Sequence, residues 1–139
     1  MNGFEGLQPG KESPEVKPLV LKTGVELDFT KRTLGYRGRP IQLSFGEKDL
    51  LFLLAGQPRT VMSVDAIIKK LYKEEEFFPK DRKGVVKVRL SYIRRKLIDA
   101  TQQTPPQERT SATLLKRHFQ SHHRRGYYFE PDPTLPEEL

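Results

Sequence analysis

The segment from Arg82 to Ile98 constrains the fold of this chain more than any other. Four of its apolar residues recur at i, i+4, i+7 and i+11, which places them on one face of an α-helix: Val86, Leu90, Ile93 and Leu97. No Asp or Glu occurs anywhere in the segment. We therefore predict a third helix over about residues 81–99 that is buried along one face and basic or polar on the other.

The positive charge of the chain is concentrated around this helix. The 139 residues include 25 Lys and Arg against 18 Asp and Glu, for a net charge of +7. Residues 80–129 hold 13 of these cations and 3 of the acids, so this segment carries +10 and the rest of the chain carries −3. Crowding of one sign is unfavourable unless an anionic partner relieves it, although a merely soluble basic surface would have the same composition.

Several classes of protein are disfavoured by composition. The chain has no cysteine, which rules out disulfides and cysteine-zinc sites and fits a reducing cytoplasm. Its longest apolar run, residues 50–55, is far shorter than the roughly 18–20 residues that span a bilayer. The first 18 residues lack the apolar core of a signal peptide. We expect a cytoplasmic protein that does not contact membranes.

The chain reads as one domain with two tails. Residues 1–18 are rich in Gly, Pro and charge and are interpreted as a disordered tail, residues 19–130 as the domain, and residues 131–139 as a C-terminal tail. Turn sequences separate four short runs of strand character, which predict a small antiparallel sheet: Leu19–Leu21, Val25–Phe29, Leu34–Tyr36 and Ile41–Leu43.

Two further helices precede the third one. Ser44 and Glu47 form a capping-box sequence that starts a first helix, which ends near Gln57 before Pro58. Ser63 can cap a second helix, whose apolar residues from Val64 to Leu71 form one stripe. After the third helix we predict a polar loop over residues 101–113. A β-hairpin follows, with strands at residues 114–119 and 127–129 and a basic tip at residues 122–126.

This order of elements predicts an α+β fold of the winged helix-turn-helix type, with a C-terminal β-hairpin wing. Four motifs in order support it: residues 38–47 (GRPIQLSFGE), 61–63 (VMS), 86–97 (VKVRLSYIRRKL) and 125–129 (RGYYF). Over roughly residues 19–130 the chain resembles the OmpR/PhoB-type DNA-binding domain of bacterial two-component response regulators.

The resemblance implies binding to double-stranded DNA in tandem, as a dimer on DNA. The third helix would lie in the major groove and the wing would reach the minor groove. Val88, Ser91 and Tyr92 occupy positions that face bases, whereas Arg89 and Arg94 occupy positions that usually meet phosphates. The loop at residues 73–80 corresponds to a segment that contacts RNA polymerase in some members.

The sequence departs from the family pattern in three places. No receiver domain precedes the module, so we expect no phosphorylation site, and Met1 favours a natural start of the chain. The family often has arginine where Tyr92 stands, which puts guanine recognition there in doubt. The connection after Asp99 and the hairpin are both long, and the usual wing arginine aligns near His123. The minor-groove role therefore falls on the cluster of His123, Arg124 and Arg125.

Together these observations predict a transcription regulator that binds specific DNA sequences and is not an enzyme. No phosphate-binding glycine loop, nucleophile elbow or His-Glu-x-x-His motif is present, and no cofactor or metal is expected. The predicted DNA-binding residues are Arg82, Lys83, Lys87, Val88, Arg89, Ser91, Tyr92, Arg94, Arg95, Lys96, His123, Arg124 and Arg125. The predicted partner-binding residues, facing RNA polymerase or another protein, are Glu75, Phe77 and Phe78.

The same sequence is compatible with other interpretations. The third helix could be an ordinary amphipathic helix, and Tyr92 could lean on the helix surface without touching a base. The module could bind an acidic partner or a polymerase subunit with incidental nucleic-acid binding, and at least one of Phe77 and Phe78 could fold back onto the core. RNA binding is disfavoured because an A-form major groove is too narrow for side chains to read. The histidines near the predicted hairpin make a poor metal site and suit phosphate contact or solvent better: His118, His122 and His123.

Overall fold

The computed structural model describes residues 17–135. The predicted tail at residues 1–18 lies almost wholly outside this range, as do the last four residues of the predicted tail at 131–139. The chain begins with a four-stranded antiparallel sheet in the order β1-β2-β3-β4. Its strands are β1 (Leu19–Val20), β2 (Val25–Asp28), β3 (Thr33–Tyr36) and β4 (Arg39–Ile41).

Three helices follow the sheet and share one core with it. They are α1 (Phe45–Ala55), α2 (Val64–Leu71) and α3 (Arg82–Gln102). The predicted capping box is present: Ser44 Oγ accepts from the Glu47 amide, and the Glu47 carboxylate accepts from the Ser44 amide. Ser63 and Asp81 cap the other two helices by accepting from backbone amides.

The core is built from one face of each helix and one face of the sheet. On α1 the residues Leu50, Leu51 and Leu54 are essentially inaccessible, which confirms a central helix packed on more than one side. The whole predicted stripe of α3, from Val86 to Leu97, is also buried. Packing against α1, α2 and the sheet therefore fixes the rotation of α3 and determines which of its side chains face solvent.

The region after α3 differs from the sequence prediction. The third helix continues to Gln102, three residues beyond its predicted end, because Ala100 and Thr101 are also buried. The connection then forms a 3₁₀ turn at Pro106–Glu108 and a short helix α4 (Ala112–Lys116) capped by Ser111. The predicted strand at 114–119 was wrong, because Leu115 is buried as part of α4 and the strand begins only at Phe119.

The chain closes with a β-hairpin of β5 (Phe119–His122) and β6 (Gly126–Phe129). We call residues 119–129 the wing. The link between α1 and α2 attaches to its second strand, since Met62 and Tyr127 exchange two backbone hydrogen bonds of 2.9 Å. Only a glycine fits at Gly126, because a Cβ there would overlap the Met62 carbonyl. These contacts hold the second strand of the wing against α1 and the link that follows it.

Candidate nucleic-acid interface

The outer face of α3 is the most extensive basic and polar helix surface among the described residues. It is the face opposite the buried stripe, and no acidic side chain interrupts it between Arg82 and Ile98. Its exposed members are Lys83, Lys87, Val88, Ser91, Tyr92 and Arg95. Val88 is 49% exposed and Tyr92 is 52% exposed, so both apolar surfaces stand free in the middle of a basic face. A face of this composition can contact phosphates at its edges and base edges at its centre.

Two flanking cations of α3 turn toward the first two helices. Arg89 donates to the Tyr72 hydroxyl over 2.7 Å, and its guanidinium lies 5.5 Å from the centre of the Tyr72 ring. Lys96 Nζ donates to Glu47 Oε1 at 2.5 Å, and the Glu47 side chain is only 7% exposed. Burial opposes ionisation of Glu47, but the hydrogen bonds from Lys96 and Ser44 outweigh it and hold the pKa of this carboxyl below its ordinary value.

The other flank of α3 meets the wing. Arg94 is half-buried and donates from Nη2 to the Phe119 carbonyl at the start of β5. Burial lowers the pKa of Arg94 from its ordinary value, and its Nε meets no acceptor among residues 17–135. The contact joins α3 to the wing, so Arg94 has a structural role that its position in the sequence pattern did not indicate.

The start of α3 carries a third engaged cation. Arg82 pairs with Asp65 on α2 at 3.0 Å and stacks 5.1 Å from the centre of the Phe78 ring. Four of the predicted DNA-binding cations therefore already have partners within the described part of the protein: Arg82, Arg89, Arg94 and Lys96. Lys83, Lys87 and Arg95 are exposed and form no ion pair with the described carboxylates.

The wing tip presents the second group of predicted residues. His123, Arg124 and Arg125 are all exposed. His123 and Arg124 have positive φ angles of 42° and 61°, and Arg125 donates its amide to the His122 carbonyl to close the turn. Two left-handed residues between paired strands give a tight hairpin that projects these side chains from the sheet.

His118 lies away from this tip, contrary to the expectation that groups it with the hairpin histidines. It is fully buried, with Nε2 2.7 Å from the Thr23 hydroxyl and Nδ1 2.6 Å from the Glu130 carbonyl. Its ring stacks on Phe129. Burial lowers the pKa of His118, although the Glu130 carbonyl opposes this effect. His118 is therefore a core residue and not a phosphate contact.

The loop between α2 and α3 divides its two phenylalanines. Phe78 packs on the core edge, in an edge-to-face contact with Tyr72. Phe77 stands 64% exposed in the 3₁₀ turn Glu75–Phe77, beside the exposed Glu75. The expectation that at least one of the two folds back is confirmed, and Phe77 is the one left on the surface.

The sequence interpretation did not single out the basic residues of α4. Lys116, the last residue of α4, and Arg117, which caps it, border a groove between α3 and the wing. Both were counted within the basic segment but assigned to a strand of the hairpin. Within residues 17–135, no three His, Asp or Glu side chains cluster as a metal site would require. No helix in that range combines the length and apolar character needed to cross a membrane.

Comparison with known proteins defines the class. A family model described as "Transcriptional regulatory protein, C terminal" matches residues 38–129. The chain therefore belongs to this family, the OmpR/PhoB-type winged-helix effector domains of transcriptional regulators, which confirms the α+β winged helix-turn-helix prediction.

Individual relatives agree with this assignment. The chain is 27% identical over 92 residues to the uncharacterized transcriptional regulatory protein YcbL of Bacillus subtilis (strain 168). The match covers 66% of this chain but only 39% of that protein.

Solved structures share the fold. The Klebsiella pneumoniae RstA DNA-binding domain, in complex with the RstA box, is similar with a TM-score of 0.57 and 22% identity, covering 84% of this chain and 99% of that one. The DNA-binding domain of CpxR from E. coli gives a TM-score of 0.58 and 21% identity, covering 86% of this chain and 100% of that one.

Proposed function

We propose that this chain binds double-stranded DNA in a sequence-specific manner and regulates transcription, with α3 in the major groove and the wing at the minor groove. The observation that carries the proposal is the free outer face of α3, where lysines and arginines flank exposed Val88, Ser91 and Tyr92 above a fully buried stripe. The RstA domain, which shares this fold, was solved with its DNA box.

The division of labour follows from the chemistry of each position. Lys83, Lys87 and Arg95 are exposed and have no ion-pair partner among the described residues, so they can neutralise phosphates. Such phosphate contacts supply affinity without sequence information. Ser91 and Tyr92 lie at the centre of the face and offer hydroxyl groups and apolar surface to base edges. The wing tip contributes Arg124 and Arg125 at the neighbouring groove.

The test is titration of a duplex, selected from random sequence by the protein, at several salt concentrations. Binding through about five to eight phosphates should give a slope of log affinity against log salt of roughly −4.5 to −7. Lys87→Gln should weaken binding to all duplexes alike, whereas Tyr92→Ala should change the selected sequence. A flat salt response of the wild-type protein would contradict the proposal.

Tandem binding of two copies is part of the same proposal. It predicts that duplexes with two half-sites bind two chains, with the second half-site about one helical turn from the first. Analytical ultracentrifugation of the complex on one-site and two-site duplexes distinguishes the stoichiometries. A single chain on every duplex would exclude tandem binding and leave the mode of groove binding unaffected.

A second candidate function is docking of a protein such as an RNA polymerase subunit. The observation that favours it is Phe77, exposed beside Glu75 in a turn that is followed by Phe78, whose ring packs on Tyr72. Phe77→Ala should then abolish capture of purified polymerase while leaving duplex affinity unchanged. Equal capture of polymerase by the wild-type protein and by Phe77→Ala would exclude this role for Phe77.

A further inference from the structure

A surface groove runs along residues 91–99 in the C-terminal half of α3, passes α4 and reaches β5 of the wing. One part of it is lined by Ser91, Arg95 and Asp99, and the other by Gln120 of the wing. Arg94 and Lys116 line both parts, so the two are continuous. The groove therefore connects the outer face of α3 with the wing.

The groove is strongly cationic. Four cations line it, Arg94, Arg95, Lys116 and Arg117, against the single carboxylate of Asp99. Arg94 is committed to the Phe119 carbonyl, and Arg117 donates to the Thr134 carbonyl. Arg95 and Lys116 are exposed and form neither an ion pair nor a side-chain hydrogen bond within residues 17–135.

The position of α4 is fixed by the fold. Leu115 is fully buried, and Ser111 caps the helix. Just before the cap, Thr110 donates to the Thr23 carbonyl and accepts from the Tyr36 hydroxyl, which ties the connection to the N-terminal sheet. Lys116 is therefore presented from a rigid element, and only its own side chain must be ordered when it binds an anion.

On B-DNA a sugar-phosphate strand separates each major groove from the adjacent minor groove. If α3 lies in the major groove and the wing tip in the minor groove, this strand must cross the space between α3 and the wing. The cationic groove occupies that space. Resting on the proposed function, we infer that the groove binds a phosphate of the intervening strand, with Lys116 of α4 and Arg95 of α3 as its cations.

This inference adds α4, a helix in the long connection after α3, to the DNA-binding surface. The groove differs from the base-facing residues of α3 because a phosphate contact carries no sequence information. Its loss should therefore weaken binding to preferred and unrelated duplexes by the same factor. The carboxylate of Asp99 opposes DNA binding, since its negative charge repels a phosphate in the groove.

The experiment compares Lys116→Gln with Lys31→Gln, which removes the same charge elsewhere. Lys31 is exposed in the turn between β2 and β3 and lines a surface depression with Arg39 and other residues of the sheet region, none of them from α3. Fluorescence anisotropy with a selected duplex is measured over a series of salt concentrations. We expect Lys116→Gln to make the log–log slope shallower by about 0.9, the value for one phosphate, and Lys31→Gln to leave it unchanged.

Further measurements distinguish a phosphate contact from other effects of the substitution. Lys116→Arg keeps the positive charge and should therefore have the wild-type slope. Asp99→Asn removes the negative charge and should tighten duplex binding. In duplexes carrying a neutral methylphosphonate at one position at a time, wild-type affinity should fall at the intervening strand. The affinity of the Lys116→Gln variant should not change when the phosphate at that same position is neutralised. Unchanged melting temperatures of the variants exclude unfolding as the cause.

The outcomes separate the two proposals. A steep wild-type slope that Lys116→Gln leaves unchanged would overturn the groove while retaining DNA binding by α3. The same holds if methylphosphonates weaken wild-type and Lys116→Gln binding equally at every position. A wild-type protein that does not bind duplex DNA at all would overturn the proposed function and the groove with it.

Discussion

Nζ of Lys96 on α3 lies 2.5 Å from Oε1 of Glu47 in the first turn of α1. The same carboxylate accepts from the Ser44 amide in the capping box. One buried carboxylate thus caps α1 and pins it to α3 at the same time. Lys96 was predicted to bind DNA, but this contact directs its side chain toward α1.

Lys96→Met should therefore destabilise the fold, by about 1–3 kcal/mol, because it leaves a buried carboxylate short of a partner. Solvent access to the ammonium group favours the low end of this range. The free energy of unfolding from urea denaturation at pH 7 measures the change. Lys87→Met is the matched control on the exposed face of α3 and should cost little.

The cost of Lys96→Met should depend on pH. Because the pKa of Glu47 is lower in the fold than its ordinary value of 4.5, the ionised carboxylate contributes stability above that pH. This contribution is lost as pH falls through the folded pKa. The difference in unfolding free energy between the two proteins should consequently shrink below about pH 4.5. A difference that stays constant from pH 7 to pH 3 would contradict an ionic link.

His118 should make the protein less stable in mild acid. Its folded pKa is lowered by burial, so the unfolded chain binds the proton more readily. The stability it supports is present above the ordinary value of 6.5 and declines as pH falls toward the folded pKa, by up to about 1.4 kcal/mol per pH unit. The free energy of unfolding at pH 7.5 and pH 5.5 tests this.

His118→Phe serves as the control. It leaves the Thr23 hydroxyl and the Glu130 carbonyl without their ring partner, so it should be less stable at pH 7.5. It should also lose less stability than the wild type on moving to pH 5.5. His122 and His123 are unchanged in both proteins, so the comparison isolates His118. Equal pH dependence of the two proteins would show that His118 is not the titrating group.

Gly126→Ala should detach the wing from the link before α2. The added Cβ would overlap the Met62 carbonyl and separate the two backbone hydrogen bonds between Met62 and Tyr127. We expect a loss of about 2 kcal/mol or more in stability. The Tyr127 amide should also lose its protection from hydrogen exchange, because its hydrogen bond to the Met62 carbonyl is broken. Gly38 also has a positive φ, of 83°, but no atom of residues 17–135 lies close to the position of an added Cβ. Gly38→Ala should therefore cost only about 1 kcal/mol in stability. Similar losses in both variants would argue against the steric origin.

The wing tip should exchange stability for binding. His123 and Arg124 both adopt left-handed conformations that Asn and Gly tolerate better. The double variant His123→Asn, Arg124→Gly should therefore raise the melting temperature while weakening duplex affinity and flattening its salt dependence. Arg124→Asn alone relieves part of the strain and removes the same charge. A higher melting temperature with unchanged affinity would remove the wing tip from the DNA-binding surface.

Local patterns predicted most of the fold correctly. The apolar spacing of α3, the capping box at Ser44 and the glycine turns of the sheet are all encoded by neighbours a few residues apart. The connection after α3 was predicted poorly, because α4 and the burial of His118 depend on remote partners. Thr23 forms hydrogen bonds with both His118 and Thr110, and it lies about 90 residues earlier in the chain.

The sequence alone determined that α3 would have one buried and one basic face, because helical periodicity is a property of consecutive residues. It also determined that the excess charge would gather around this helix and the wing. Only the tertiary structure decided which cations remain available to a partner. Lys96 and Arg94 are engaged by Glu47 and Phe119, whereas Lys87 and Arg95 are exposed and have no ion-pair partner within residues 17–135. The physical reason is that an ion pair or a hydrogen bond forms only within a few ångströms, and that proximity arises when α1 and the wing pack against α3.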